Sequence, residues 1–174
     1  MDIYIREEQS EDYGAIHAVN EIAFGRENEA KLVDALRRNA SAFVPQLSLV
    51  ATLDNKIVGH ILLTRVKIEY DHQLVYDSLA LAPMGVIPAA QGKGIGSQLV
   101  RAGLDKAREL NFKSVIVLGH PRYYPRFGFI PTSRWNIKPP FDVPEEAFMG
   151  LELVVGGLER VQGTVRYPDE FDRV

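Results

Sequence analysis

Apolar positions along this chain fall into two spacings, one of period two and one of helical period. Ile3-Tyr4-Ile5-Arg6 alternates like a short strand. Ser10 stands where a helix cap is expected, ahead of Tyr13, Ile16, Val19 and Ala23 at helical spacing. After Phe24-Gly25-Arg26 a second helical pattern carries Leu32, Val33 and Leu36. Leu47 to Leu53 and Ile57 to Tyr70 read as strands joined by an Asp54-Asn55-Lys56 turn, and Asp71-His72 leads to a third run from Leu74 to Val86. A helix is expected from about Gly96 to Leu110, its apolar face made by Leu99, Val100, Gly103, Leu104, Ala107 and Leu110. Gly103 costs about 1 kcal/mol there relative to Ala, which a close helix–sheet approach would justify. Asn111 ends that helix, and Ser114 to Leu118 reads as a buried strand. A one-turn segment from Arg122 to Arg126, a proline-rich loop, a strand near Met149 to Val155 and a polar tail from Gly163 follow. Antiparallel strands come first and one strand–helix–strand crossover follows, which predicts a single α/β domain over 1–174, with 163–174 a terminal strand or tail.

Length and composition narrow the chemistry. A chain of 174 residues buries a sufficient core without staples. There is no cysteine, so disulfides, thiolate nucleophiles and zinc–thiolate sites are excluded. His17, His60, His72 and His120 show no ligand spacing, and no metal site is expected. No apolar run has membrane-spanning length, and Met1-Asp2-Ile3-Tyr4 shows no signal-peptide pattern, so no membrane partner and a cytoplasmic location are expected. The net charge of −3 argues against a nucleic-acid binder. Its distribution says more: Gln91 to Arg126 holds seven basic against two acidic residues, while both flanks are acidic. A basic middle suits a polyanionic ligand, and acidic flanks suit a cationic one.

The stretch from Val86 to Ser97 runs from an apolar strand through a glycine-rich turn into the amphipathic helix. That order sets backbone N–H groups, at the positive end of a helix, beside a strand end, an arrangement that binds phosphate oxygens. Glycines at 92, 94 and 96 let a diphosphate approach the backbone, and Lys93 adds a mobile charge. A P-loop pattern fails, because Lys93 precedes the last two glycines. A dinucleotide pattern also fails, since the next strand ends at Leu118-Gly119-His120 with no carboxylate for a ribose. The pattern Gln/Arg-x-x-Gly-x-Gly/Ala is matched by Gln91, Gly94 and Gly96.

At this point the chain resembles the GNAT superfamily of N-acetyltransferases, whose turn holds the pyrophosphate of acetyl-CoA. Tyr123-Tyr124-Pro125-Arg126-Phe127-Gly128-Phe129 resembles the aromatic Tyr-x-x-x-Gly-Phe ending of that family, with Tyr124 in the tyrosine position. The likeness spans the chain and is nearest to a bacterial branch of predicted acetyltransferases. It implies a mixed, mostly antiparallel sheet with a central splayed parallel pair and flanking helices. It also implies acetyl-CoA as co-substrate, and leaves a homodimer open. By the same resemblance, the backbone of Met84, Gly85 and Val86 holds the pantetheine arm. The turn of Gln91, Gly92, Lys93, Gly94, Ile95, Gly96 and Ser97 holds the diphosphate. Pro83 and Gly85 disfavour regular strand pairing, so a bulge is expected there.

Acetyl transfer to an amine needs donors for the thioester oxygen, for which the Met84 or Val86 amide is the source. The leaving thiolate, of reference pKa about 8.5, needs a proton that a phenol can supply. Tyr124 is assigned that role, with Tyr123 packing beside it. The amine must lose a proton, but the strand position where many family members carry a glutamate is Ala80 here. The proton must leave through water or through a group elsewhere, with Asp77, His120, Glu27 and Glu29 as candidates, His120 being a base or relay. By the same resemblance, the regions Phe24 to Glu29 and Trp135 to Glu146 wall the acceptor site, with Phe24, Glu27, Glu29 and Trp135 as its candidate residues. The function expected is transfer of an acetyl group to a small-molecule or protein amine by direct attack. The alternatives are a noncatalytic acyl-CoA-binding sensor, for which the empty Ala80 position speaks, and an enzyme using a longer acyl-CoA.

Overall fold

The computed structural model describes residues 2–173; Met1 and Val174, the ends of the expected 1–174 span, lie outside the described residues. Its elements are β1 (Ile3–Glu7), α1 (Tyr13–Phe24), α2 (Asn28–Arg37), β2 (Phe43–Leu53), β3 (Lys56–Tyr70), β4 (Leu74–Val86), α3 (Ile95–Glu109), β5 (Ser114–Leu118), β6 (Ile130–Pro131), β7 (Ile137–Lys138), β8 (Phe148–Glu152) and β9 (Gly163–Arg166), with short 3-10 turns between some of them. The strands form a mixed sheet in the order β1-β2-β3-β4-β5-β8-β6, while β9 pairs with β3 and β7. Most pairs are antiparallel. The crossover through α3 makes β4 and β5 parallel, with Leu79 opposite Val115 and Ala80 opposite Ile116. A second parallel pair, β7 with β9, joins Ile137 to Gly163 and Lys138 to Thr164. Two-residue contacts of that kind leave no periodicity to read.

The hairpins follow from turn chemistry. Asp54 and Asn55 take φ of 49° and 66°, and Asp71 and His72 take 53° and 57°. Both pairs match the left-handed turn that suits the twist of antiparallel strands. Asn111, at φ 67°, ends α3 in the same left-handed region.

The chain packs as two compact units. One runs to Thr64, then takes Ala82–Lys106 and the segment from Asp169; the other holds Arg65–Leu81 and Ala107–Pro168. In the first, Ile16 of α1 and Leu32, Val33 and Leu36 of α2 pack with Val50 and Leu62 of the sheet. In the second, Val66, Ile68, Ile116, Phe148 and Val165 make the core with Leu158. Each such side chain stabilises the fold by about 1.5–3 kcal/mol relative to exposure. The expected tight approach at Gly103 is real, since a Cβ there would lie 2.9 Å from Leu63 Cδ1.

Three boundaries differ from the sequence reading. Ser10 does not cap α1; it lies in a 3-10 turn, Ser10–Asp12, whose cap is Gln9, with the Gln9 amide donating to Asp12 at 2.8 Å. Asp12 wins because Arg6 also clamps it, at 2.6 and 3.1 Å. The strand β2 starts four residues earlier than Leu47. The strand β8 stops at Glu152, because Gly156, at φ 75°, and Gly157 turn the chain against the Lys113 carbonyl.

Candidate functional site

The glycine turn is built from the end of β4 onward. Ile87 donates its amide to Val58 O at 2.9 Å, and a 3-10 turn, Pro88–Ala90, follows. Gln91 folds back so that Nε2 donates to Val86 O at 3.1 Å, tying the two ends of the turn together. Gly92 and Gly94 then take φ of 78° and 77°, a conformation that L side chains resist. A Cβ on either would meet nothing within 4 Å. These glycines are required by their dihedrals, and the space above them is open. Ile95 is buried and anchors the start of α3, whose ladder opens with Gln98 N donating to Gly94 O at 3.1 Å. The amides of the first turn point out of the helix end, toward the open side, and Lys93 is exposed there. A row of aligned amides, two bare glycines and a lysine fits the diphosphate of a coenzyme A.

Upstream, the peptide before Pro83 is cis, and Met84 and Val86 are half-buried on β4. Gly85 is glycine for a different reason from the turn glycines. A Cβ there would lie 2.9 Å from Ala23 Cβ and 3.1 Å from the Phe24 ring, so Gly85 is where α1 lies down on the strand. A polar chain that the sequence reading missed pins α1 in that position. Asn20 Nδ2 donates to Ile16 O and to His60 Nδ1, both at 3.1 Å. His60 Nε2 donates to Ser48 Oγ at 2.8 Å, Ser48 donates to Glu8, and Glu8 accepts Nε and Nη2 of Arg37, both at 2.9 Å. From Asn20 to Glu8 every donor points the same way, and Arg37 donates to Glu8 from the other end. Full burial pushes the His60 pKa down to about 3, with the Arg37 charge adding to the effect. His60 is a neutral structural histidine, and no single-residue signal in the sequence marks it.

The aromatic loop lies in the other unit. Gly119 N donates to Ala147 O at 2.9 Å, and His120 O accepts the amides of Tyr123 and Tyr124 at 3.0 and 3.3 Å. His120 Nδ1 accepts the Arg122 amide at 3.2 Å, which leaves the ring proton of the neutral form on Nε2. The exposed His120 side chain thus braces the turn. Tyr124 opens a 3-10 turn, Tyr124–Phe127, with its ring edge-on to Tyr123 at 5.1 Å and to Phe129 at 5.7 Å. Burial, and then the neighbouring Tyr123, pushes the Tyr124 phenol up to about 12. The group therefore stays protonated at any physiological pH.

The remaining candidates carry ion pairs. Glu29 is gripped by Arg26 through Nε at 2.8 Å, and Glu27 pairs with Lys31 at 2.9 Å. Both carboxyls are held below their ordinary range, first by those hydrogen bonds. Asp77 is exposed and paired with Lys67. Phe24 is exposed at the end of α1. Trp135 is half-buried over Gly150 and lines a cleft of about 570 Å³ with Arg134, Glu152 and Arg160. His17, Glu21 and Glu27 bring ligand atoms within 4.8 Å of one another on the surface, but His17 donates to Asp34 at 2.7 Å and Glu27 is held by Lys31. Among the described residues no helix is long and apolar enough to cross a membrane.

Comparison with known proteins identifies the family of this chain. The model of the acetyltransferase (GNAT) family matches residues 4–129. The uncharacterized N-acetyltransferase YjhQ of Escherichia coli is 44% identical over 138 residues, covering 78% of this chain and 74% of its own. The crystal structure of the Escherichia coli GNAT protein YhbS in complex with CoA superposes with a TM-score of 0.89 at 31% identity, over 98% of this chain and 92% of that one. A GNAT acetyltransferase from Brucella melitensis, solved with acetyl-CoA, gives 0.77 at 33% identity, over 98% and 99%. The chain belongs to the GNAT acetyltransferase family and is an N-acetyltransferase.

Proposed function

We propose that this protein transfers the acetyl group of acetyl-CoA to a primary amine by direct attack on the thioester. The observation that carries the reading is the turn of Gly92 and Gly94, left-handed, open above, and set at the N-terminus of a 15-residue helix. Related proteins were solved with CoA and acetyl-CoA. In this reading the amides from Gly92 to Ser97, with Lys93, hold the diphosphate. The main chain at Met84 and Val86 holds the pantetheine arm and donates to the thioester oxygen as charge develops there. Gly85 serves by seating α1.

In the reaction the amine nitrogen forms a bond to the acetyl carbon and the carbon–sulfur bond breaks. Sulfur leaves with the electron pair and takes the Tyr124 phenolic proton. The ammonium gives one proton to water before attack and the nitrogen gives a second after it, while the tyrosinate is reprotonated from solvent. Water is the better acceptor here because each alternative is engaged. Glu27, Glu29 and Asp77 are ion-paired, and His120 Nδ1 is taken by the Arg122 amide. Ala80 supplies no base. Activity against pH should therefore follow the ionisation of the amine itself, rising about tenfold per unit below its pKa. Phe24, Glu27, Glu29 and Trp135 are assigned to the acceptor side, and the acceptor is a cationic amine. Acetyl-CoA is a cytoplasmic metabolite, and the activity belongs there.

The test is isothermal titration with acetyl-CoA, with CoA, NAD and ATP as controls, followed by turnover on a panel of amines. Selective binding of acetyl-CoA and CoA with turnover supports the proposal. Binding without turnover on any amine would favour a noncatalytic acyl-CoA sensor, the reading that Ala80 keeps in play. Equal binding of ATP would remove both.

A further inference from the structure

The ring of Tyr124 rests on a bare backbone. A Cβ built on Gly119 would overlap Cε2 of Tyr124 and lie 2.6 Å from Cδ2. These are atoms in the middle of a rigid ring, so a side chain at 119 cannot be met by turning a flexible end aside. Three further rings pack around it. Phe129, fully buried, stands edge-on at 5.7 Å, Tyr123 at 5.1 Å, and Phe127 lies tilted at 6.4 Å. The two backbones are fixed as well. Gly119 N is bonded to Ala147 O, and the Tyr123 and Tyr124 amides are bonded to His120 O. Gly119 has no left-handed φ, so its dihedrals do not demand glycine. What demands it is the ring.

We propose that Gly119 is a positioning residue for Tyr124: its missing Cβ is the floor of a slot, walled by Tyr123, Phe127 and Phe129, that sets where the phenol hydroxyl lies. The inference rests on Tyr124 as the proton donor. Any side chain at 119 must shift the ring by roughly 1 Å to restore ordinary contact. A displacement of that size at a reacting group costs about 10²-fold in rate. Cofactor affinity, set by the glycine turn, is untouched. The slot also gives Pro121, Arg122 and the His120 brace a shared purpose, since they form the short turn that returns the chain over Gly119.

The experiment measures thiol release from acetyl-CoA with hydroxylamine as a small acceptor, the uncatalysed rate subtracted. Four proteins are compared: wild type, Gly119→Ala, Tyr124→Phe and the double variant. Gly119→Ala should lower kcat about 10²-fold with the KM for acetyl-CoA within threefold, and should cost nothing further once the hydroxyl is gone. A merely structural glycine would instead slow the double variant by the product of the two effects, and that result overturns the proposal. Phe127→Ala, which opens the slot from the half-buried side, keeps the test alive if Gly119→Ala does not fold. It should lower kcat several-fold in wild type and not at all beside Tyr124→Phe. If Tyr124→Phe is crippled while Gly119→Ala runs at the wild-type rate, the proton donor stands and the slot falls. A fully active Tyr124→Phe sinks both.

Discussion

The glycine turn and the loop beneath Tyr124 both depend on missing Cβ atoms, for opposite reasons. At Gly92 and Gly94 the backbone is left-handed and the space above is open. At Gly119 the backbone is ordinary and the space is filled by a ring. The first pair is glycine because its left-handed backbone demands it, under open space, and the last is glycine because a ring of the protein itself fills the place of a side chain. Substitution should therefore read out differently in the two regions: as lost affinity at the turn, and as lost turnover at the loop.

The largest expected effect tests the open side. Gly94→Glu introduces a side chain at φ 77° and a carboxylate where the diphosphate would sit, against the helix dipole that attracts anions. Acetyl-CoA affinity should fall at least about 10²-fold by titration calorimetry, a loss of roughly 3 kcal/mol from missing charge-assisted hydrogen bonds and added repulsion. Unchanged binding would mean the turn is not the diphosphate site. The filled side is tested by Tyr124→Phe, which keeps the ring in its slot and removes one proton. Turnover should drop about 10²-fold, as general acids contribute, with the acetyl-CoA dissociation constant within threefold. A loss of affinity there would erase the contrast between the two regions.

How much of this could be read from the chain differs between the same two places. The turn was legible because local chemistry dictates it. Gln91, Gly94 and Gly96 stand at fixed offsets between a strand and an amphipathic helix whose apolar face matches the buried Leu99, Val100, Leu104 and Ala107. The hairpins and the β4–α3–β5 crossover were legible for similar reasons. Gly119 was not, because the atom that excludes a side chain there arrives five residues later by a turn whose geometry depends on His120 and Ala147. The His60 chain was hidden for the same reason: its members come from α1, α2, β2, β3 and the residue after β1, far apart in sequence. Ser10 misled because a serine before a helical pattern is a good cap, yet Arg6 and the Gln9 amide had already recruited Asp12.

That buried chain supplies a test of the scaffold under β4, separate from ligand or turnover. His60 has a folded pKa near 3, below the ordinary 6.5 of the unfolded chain. Between those values the unfolded state binds the extra proton, so stability is fully present above about pH 6.5 and falls as pH is lowered toward 3. The slope is at most about 1.4 kcal/mol per pH unit from this one group. The carboxyls of Asp12 and Glu29 are also held low, and their loss begins only near their ordinary range, around pH 4. The window from pH 6 to about 5, above the range of those carboxyls, therefore reads the histidine. Thermal unfolding should show Tm declining across it in wild type and nearly flat in His60→Gln. A flat wild-type profile would mean His60 is not neutral and buried.

The smallest effect sharpens the open side from within. Gln91 contributes no charge, and its exposed side chain makes one hydrogen bond, from Nε2 to Val86 O. If the turn needs only its glycines, Gln91→Ala should change nothing. If the glycines work because the turn is preorganised, losing the tie between the end of β4 and residue 91 should weaken acetyl-CoA binding by about one hydrogen bond, roughly 0.5–1.5 kcal/mol or two- to tenfold. Preorganisation also predicts which rate changes. A turn that must reorder on binding should slow association and leave dissociation of the formed complex nearly alone, because the bound diphosphate then holds the turn itself. Stopped-flow binding of acetyl-CoA to the Gln91→Ala protein separates the two rates. A penalty found wholly in dissociation would make Gln91 a ligand contact and not a tie. The open turn would then resemble the slot at Gly119 less than its shared dependence on glycine suggests.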